Sequence, residues 1–113
     1  MTFRVIILPQ AHRDIDRNAD WWADHHSVDQ AVRWADTVYD QIGTLANFPE
    51  SNGLSAECDA FPYQIRDKLV GLGARPGYRA VFTIKDDTVY VLTVRRAAQG
   101  TLRPDQVDSV PEI

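Results

Sequence analysis

The stretch Tyr78–Gln99, reading YRAVFTIKDDTVYVLTVRRAAQ, constrains the fold more than any other part of the chain. Two runs rich in β-branched and aromatic residues flank Lys85-Asp86-Asp87, the pattern of a β-hairpin. Folding one run back on the other brings their outer ends together. Arg79 then lies near Arg95 and Arg96, although many residues separate them in sequence. Register decides which of the three share a face. A two-residue turn at Asp86-Asp87 sets Tyr78 opposite Arg95 and mixes polar with apolar on both faces. A three-residue turn, Lys85 to Asp87, segregates them better, and this is the predicted register. It groups Tyr78, Ala80, Phe82 and Ile84 with Thr88, Tyr90, Leu92 and Val94. Arg79, Val81 and Thr83 then join Val89, Val91, Thr93 and Arg95 on an open face, and Arg96 points the other way.

The remaining elements follow from hydrophobic period. Phe3–Leu8 (FRVIIL) is an apolar strand candidate, and Pro9 suits the first turn of a helix. Ala11, Ile15, Ala19 and Trp22 recur at helical spacing up to about His25, with Asp14, Asp16, Arg17, Asp20 and Asp24 assigned to the other faces. Ser27 is a natural N-cap for a second helix, about Val28 to Ala46, with Val28, Ala31, Ala35, Val38, Ile42 and Leu45 as its stripe. The short connection predicts an antiparallel helical hairpin. A loop follows to about Pro62, then a half-exposed strand within Tyr63–Leu72, a glycine-rich turn, and the hairpin. The order is β-α-α-β-β-β, an α+β fold, with a single domain over residues 1–103 and a polar tail over 104–113.

Composition narrows the function. Cys58 is the only cysteine, so an intrachain disulfide and a cysteine-based zinc site are excluded, and a reducing cytoplasm is expected. No apolar run reaches the length of a membrane span. Net charge is −4 but unevenly spread. Residues 1–60 carry four arginines against ten carboxylates, whereas residues 62–103 carry eight basic residues against three aspartates. A basic face for an anionic partner is one reading; unevenness without function is the other.

Individual residues give little sign of metal or nucleophilic chemistry. His25 and His26 are adjacent and diverge by about 100° on a helix, so they could not readily share a metal, and a helix C-terminus suits them. Gly71–Gly77 resembles a phosphate loop, but Pro76 and the following strand exclude the helix such a loop needs. No cofactor or metal site is expected. The basic residues Arg66, Lys68, Arg79, Arg95 and Arg96 are the candidate catalytic or target-binding group, since guanidinium groups bind phosphate and stabilise charge building up on it. The competing reading pairs these arginines with Asp67, Asp86 and Asp87. A general base does not announce itself; Glu57, Tyr63 and Tyr78 are the possibilities. Trp21 and Trp34 are candidates for either interhelical contact or a partner-binding patch. Arg79→Ala and Arg96→Ala are expected to leave the fold intact.

The element order, the FRVIILPQA start, Phe48-Pro49 after the second helix, Tyr78-Arg79-Ala80-Val81-Phe82 and Val94-Arg95-Arg96-Ala97-Ala98-Gln99 together resemble the RelE/ParE superfamily of bacterial toxins. These are toxin halves of type II toxin–antitoxin modules. The resemblance implies a small sandwich of a mostly antiparallel sheet with a helical hairpin on one face. It implies a cognate antitoxin as partner, and as target either DNA gyrase or ribosome-bound mRNA. Arg79 matches the superfamily's YRxxF/Y arginine. Arg96 stands where many members have histidine, and no Tyr or His follows Gln99, so a frequent acid/base group of the mRNA-cleaving members is missing. With the acidic balance, this favours gyrase inhibition over mRNA cleavage; a degenerate member that only binds antitoxin is the third expectation.

Overall fold

The computed structural model describes residues 2–111. Strand β1 (Arg4–Ile7) leads into α1 (Pro9–His25) and α2 (Val28–Gly43), followed by β2 (Arg66–Val70), β3 (Tyr78–Lys85) and β4 (Thr88–Arg96). Pro9 opens α1, and the Ser27 hydroxyl accepts the Gln30 N–H at 3.1 Å to cap α2. The second helix tightens into a 3-10 turn at Thr44–Ala46, so its apolar stripe runs on to the buried Leu45. The sheet order is β1-β4-β3-β2, antiparallel except for the parallel pair β1–β4. The helical hairpin covers one face. This is the α+β architecture the pattern predicts.

The core lies between that face and the hairpin. Ile15, Trp34, Val38, Ile42, Phe82, Val89 and Val91 are almost completely excluded from water. Each such side chain contributes roughly 1.5–3 kcal/mol by leaving water. Gly71 sits at φ +124°, a conformation L side chains rarely adopt, where the chain turns out of β2. Its N–H and C=O are both held by the Gln41 side chain, at 2.7 and 3.2 Å, which ties the turn to α2.

The register of β3 and β4 differs from the expected one. Next to the turn, Lys85 faces Thr88 and Ile84 faces Val89, a two-residue turn with Asp86 at φ 55°. Val89 and Val91 therefore point to the helices, while Tyr90 and Leu92 point away. A β-bulge near Val81/Phe82 then shifts the pairing by one residue, so that Tyr78 faces Arg96 and Arg79 faces Arg95. Both ends are thereby satisfied by one inserted residue. The segregation argument failed because it assumed one solvated face. The face away from the helices is also covered: Leu8, Phe61, Ile65, Val81, Tyr90, Leu92, Leu102 and Val110 form a second cluster. The segment between β2 and α2 and the residues after β4 supply this cover, so Tyr78–Thr83 and Thr88–Arg95 are buried throughout.

Candidate functional site

The convergence of Arg79 and Arg95 is real, but their face is not open. Arg79 is 8% exposed and Arg95 is 5% exposed. The Arg79 guanidinium is held between two carboxylates brought from separate segments. Its Nη1 donates to Glu57 Oε1 at 3.0 Å, to Asp67 Oδ2 at 3.1 Å and to Ser55 Oγ at 3.2 Å, and its Nη2 donates to Glu57 Oε2. Glu57 also accepts the Ser55 hydroxyl at 3.0 Å and the Leu102 N–H at 2.9 Å. The carboxylate therefore joins the loop before β2, strand β3 and the segment after β4.

Arg79's hydrogen bonds hold the Glu57 carboxyl at a pKa of about 2, well below its ordinary value, despite the opposing effect of burial. Leu102 and Ser55 add to the lowering. Arg79 is correspondingly pushed up, first by its bond to Glu57. Arg95 moves the other way: burial lowers its pKa, and the neighbouring Arg79 charge lowers it further. Its Nη2 donates to the Gly100 carbonyl.

The other candidates lie elsewhere. Directly opposed residues share a face, so Arg66 (opposite Phe82) and Lys68 (opposite Ala80) belong to the helix side, not the side of Arg79. Arg66 donates to the carbonyls of Asn52 and Glu50, closing the loop before β2, and Lys68 is half-buried near the sheet edge. Arg96 is exposed, with its guanidinium 4.5 Å from the centre of the Trp21 ring. Trp21 in turn stacks on His25 at 4.4 Å. Trp34, the other candidate partner-binding aromatic, is completely buried and lies 4.9 Å from the Tyr78 ring. Its place is in the core because α2 turns its stripe of Ala31, Trp34, Val38 and Ile42 inward.

Two clefts border the arginines. The larger, about 650 Å3, opens on the sheet face and is bordered by Glu57, Asp67, Leu69, Arg79, Ala97 and Gln99. The smaller, about 360 Å3, lies between α1, β4 and the segment after β4, and has polar walls that include Asp14, Arg17, Arg95 and Arg96. Among the described residues no group of His, Cys, Asp and Glu is arranged to hold a metal ion, and no helix is long and apolar enough to cross a membrane.

A family model described as the ParE toxin of the type II toxin–antitoxin system parDE matches residues 5–100. The chain belongs to the ParE toxin family. Among solved structures, the toxin fold is similar to a chain of the chromosomal ParDE toxin–antitoxin system from P. aeruginosa. The TM-score there is 0.69 at 17% identity, covering 84% of this chain and 96% of that one. It is also similar to a mutant of E. coli toxin RelE in the free state, with a TM-score of 0.53 at 18% identity, covering 87% and 86%. No curated protein matches. Membership in a type II toxin–antitoxin family implies an antitoxin partner for this ParE toxin.

Two residues of the site escaped the sequence reading of the toxin. Glu57 was a possibility only as a general base, because nothing local ties it to Arg79 across 22 positions. Asp14 was placed on a polar face of α1, yet it is 3% exposed and accepts the Thr93 hydroxyl, Gln10 Nε2 at 2.9 Å and Arg17 Nη2 at 2.8 Å. Its position three residues after Ala11 of the core stripe was the available signal.

Proposed function

We propose that this ParE-family toxin acts by binding its target, with DNA gyrase as that target, rather than by cutting mRNA. The observation that carries the reading is the Glu57–Arg79–Asp67 cluster. A nuclease needs an arginine free to meet developing phosphate charge and a base able to take a proton near neutral pH. Of the two buried arginines on the sheet face, Arg79 is already paired with two carboxylates, and Arg95 donates to the Gly100 carbonyl. The nearest carboxylate, held at a pKa of about 2, is too weak a base for that work. Ala97 and Gln99 occupy the wall of the larger cleft where the chain leaves β4, and neither can exchange a proton at neutral pH.

Induced expression should arrest growth, and purified toxin with gyrase and relaxed plasmid should block supercoiling. Normal supercoiling at saturating toxin refutes the gyrase reading. Cleaved transcripts in a translation extract would move the function to mRNA, and unimpaired growth would leave an antitoxin-binding member without toxicity.

A further inference from the structure

The smaller cleft holds an unbalanced charge. Strand β1 pairs with β4 only as far as Ile7 opposite Val91, and beyond that point α1 and the residues after β4 flank the strand. Asp14 and Arg95 both lie nearly out of water there, but their bonding differs. Both Asp14 oxygens are occupied by Gln10, Arg17 and Thr93. Among the described residues Arg95 has one side-chain hydrogen bond, to a carbonyl, and its buried Nε has no partner. Among the described residues no carboxylate oxygen lies within 4.0 Å of it. A cation withdrawn from water without an anion is costly, and proteins normally pair it. Arg79, one strand away, shows what such pairing looks like. Arg96 borders the same cleft from its exposed side, Arg17 stands at the rim with its side chain 64% exposed, and the Gln99 and Gln106 amides complete a wall able to donate hydrogen bonds.

We propose that this cleft receives a carboxylate side chain of a partner polypeptide, held by Arg95 and Arg96 with Arg17 at the rim. That the partner is a polypeptide rests on the toxin–antitoxin assignment. Charge selects a single carboxylate over a polyanion. Asp16, Asp20 and Asp24 are exposed on α1, and Asp105 is exposed beyond β4. The chain's net charge of −4 opposes the approach of a nucleic-acid backbone, whereas one acidic side chain on an otherwise neutral segment brings a single negative charge.

The test follows the arginine Nε–H resonances of 15N-labelled protein during titration with an acetylated, amidated alanine pentapeptide carrying one central glutamate, the same peptide with glutamine in that place, and octathymidylate. The glutamate peptide should shift Arg95 and Arg96 saturably, and the glutamine peptide should not. Arg95→Gln should weaken binding about tenfold or more, as expected when a buried charge-assisted contact is lost. Should that variant fail to fold, Arg96→Gln changes only an exposed side chain and should weaken binding by about threefold. The inference is overturned if the glutamate peptide leaves Arg95 unmoved, if octathymidylate shifts it at lower concentration, or if both variants bind like the parent. Purified protein alone is used, so failure here leaves the gyrase reading standing, and failure of the supercoiling assay leaves the cleft standing.

Discussion

Replacing Glu57 by Gln keeps the shape of the side chain and removes its charge, so it isolates the ionic part of the clamp on Arg79. The free energy follows from the carboxyl's own equilibrium. Its pKa falls from 4.5 to about 2 on folding. At about 1.4 kcal/mol per unit, the ionised form stabilises the fold by roughly 3 kcal/mol at neutral pH. The folded value is the depressed one, so this contribution is complete above the unfolded pKa and is lost as pH falls through the folded pKa. Urea unfolding of the parent and Glu57→Gln should therefore differ by about 3 kcal/mol at pH 7 and by only about 1 kcal/mol at pH 3. The gap narrows because the protonated parent becomes the equivalent of the variant. A gap below about 1 kcal/mol at pH 7, or one that persists unchanged at pH 3, refutes the assignment of Glu57 as the ionised partner of buried Arg79.

Arg79→Ala leaves Glu57 and Asp67 facing each other without a cation, so the expectation that it spares the fold is revised: a loss of about 3–5 kcal/mol in urea unfolding is predicted, and replacing both Glu57 and Arg79 by apolar residues of similar volume should recover much of it. Arg96→Ala, by contrast, should unfold within about 1 kcal/mol of the parent while reducing growth arrest; full toxicity would remove Arg96 from the target-binding surface. Gly71→Ala forces a Cβ into a φ of +124° with Tyr78 at 3.4 Å, and should lower stability by about 1–3 kcal/mol in thermal unfolding. Asp86→Gly relieves a left-handed turn position and should raise stability by about 0.5–1 kcal/mol, measured in the same way.

Elements whose period is set by one buried face were legible in the sequence. Both helices, the Ser27 cap and the four strands follow from residues a few positions apart, where local spacing and burial agree. Register was not, because Val89, Tyr90, Val91 and Leu92 are all buried and alternation carries no contrast when both faces are covered. The arginine site was half legible. Strand pairing brought Arg79 to Arg95 as expected, but burial of that face depends on Phe61, Ile65, Leu102 and Val110, which lie in stretches with no period to read. Glu57 belongs to the same stretches, so its pairing with Arg79 had no local trace.

The bulge in the hairpin works as a frame shift of one residue in three dimensions. Continued without it, the turn-end pairing would set Tyr78 opposite Arg95 and Arg79 opposite Val94, and the two consecutive arginines would exchange sides. Arg96 would then be driven behind the sheet toward Glu57, while Arg95 would reach the Trp21 surface. The identity of the buried arginine is thus fixed by the bulge, not by the motif that contains it. In a relative of the same length between turn and motif but without the bulge, the same Val-Arg-Arg letters would describe the opposite site.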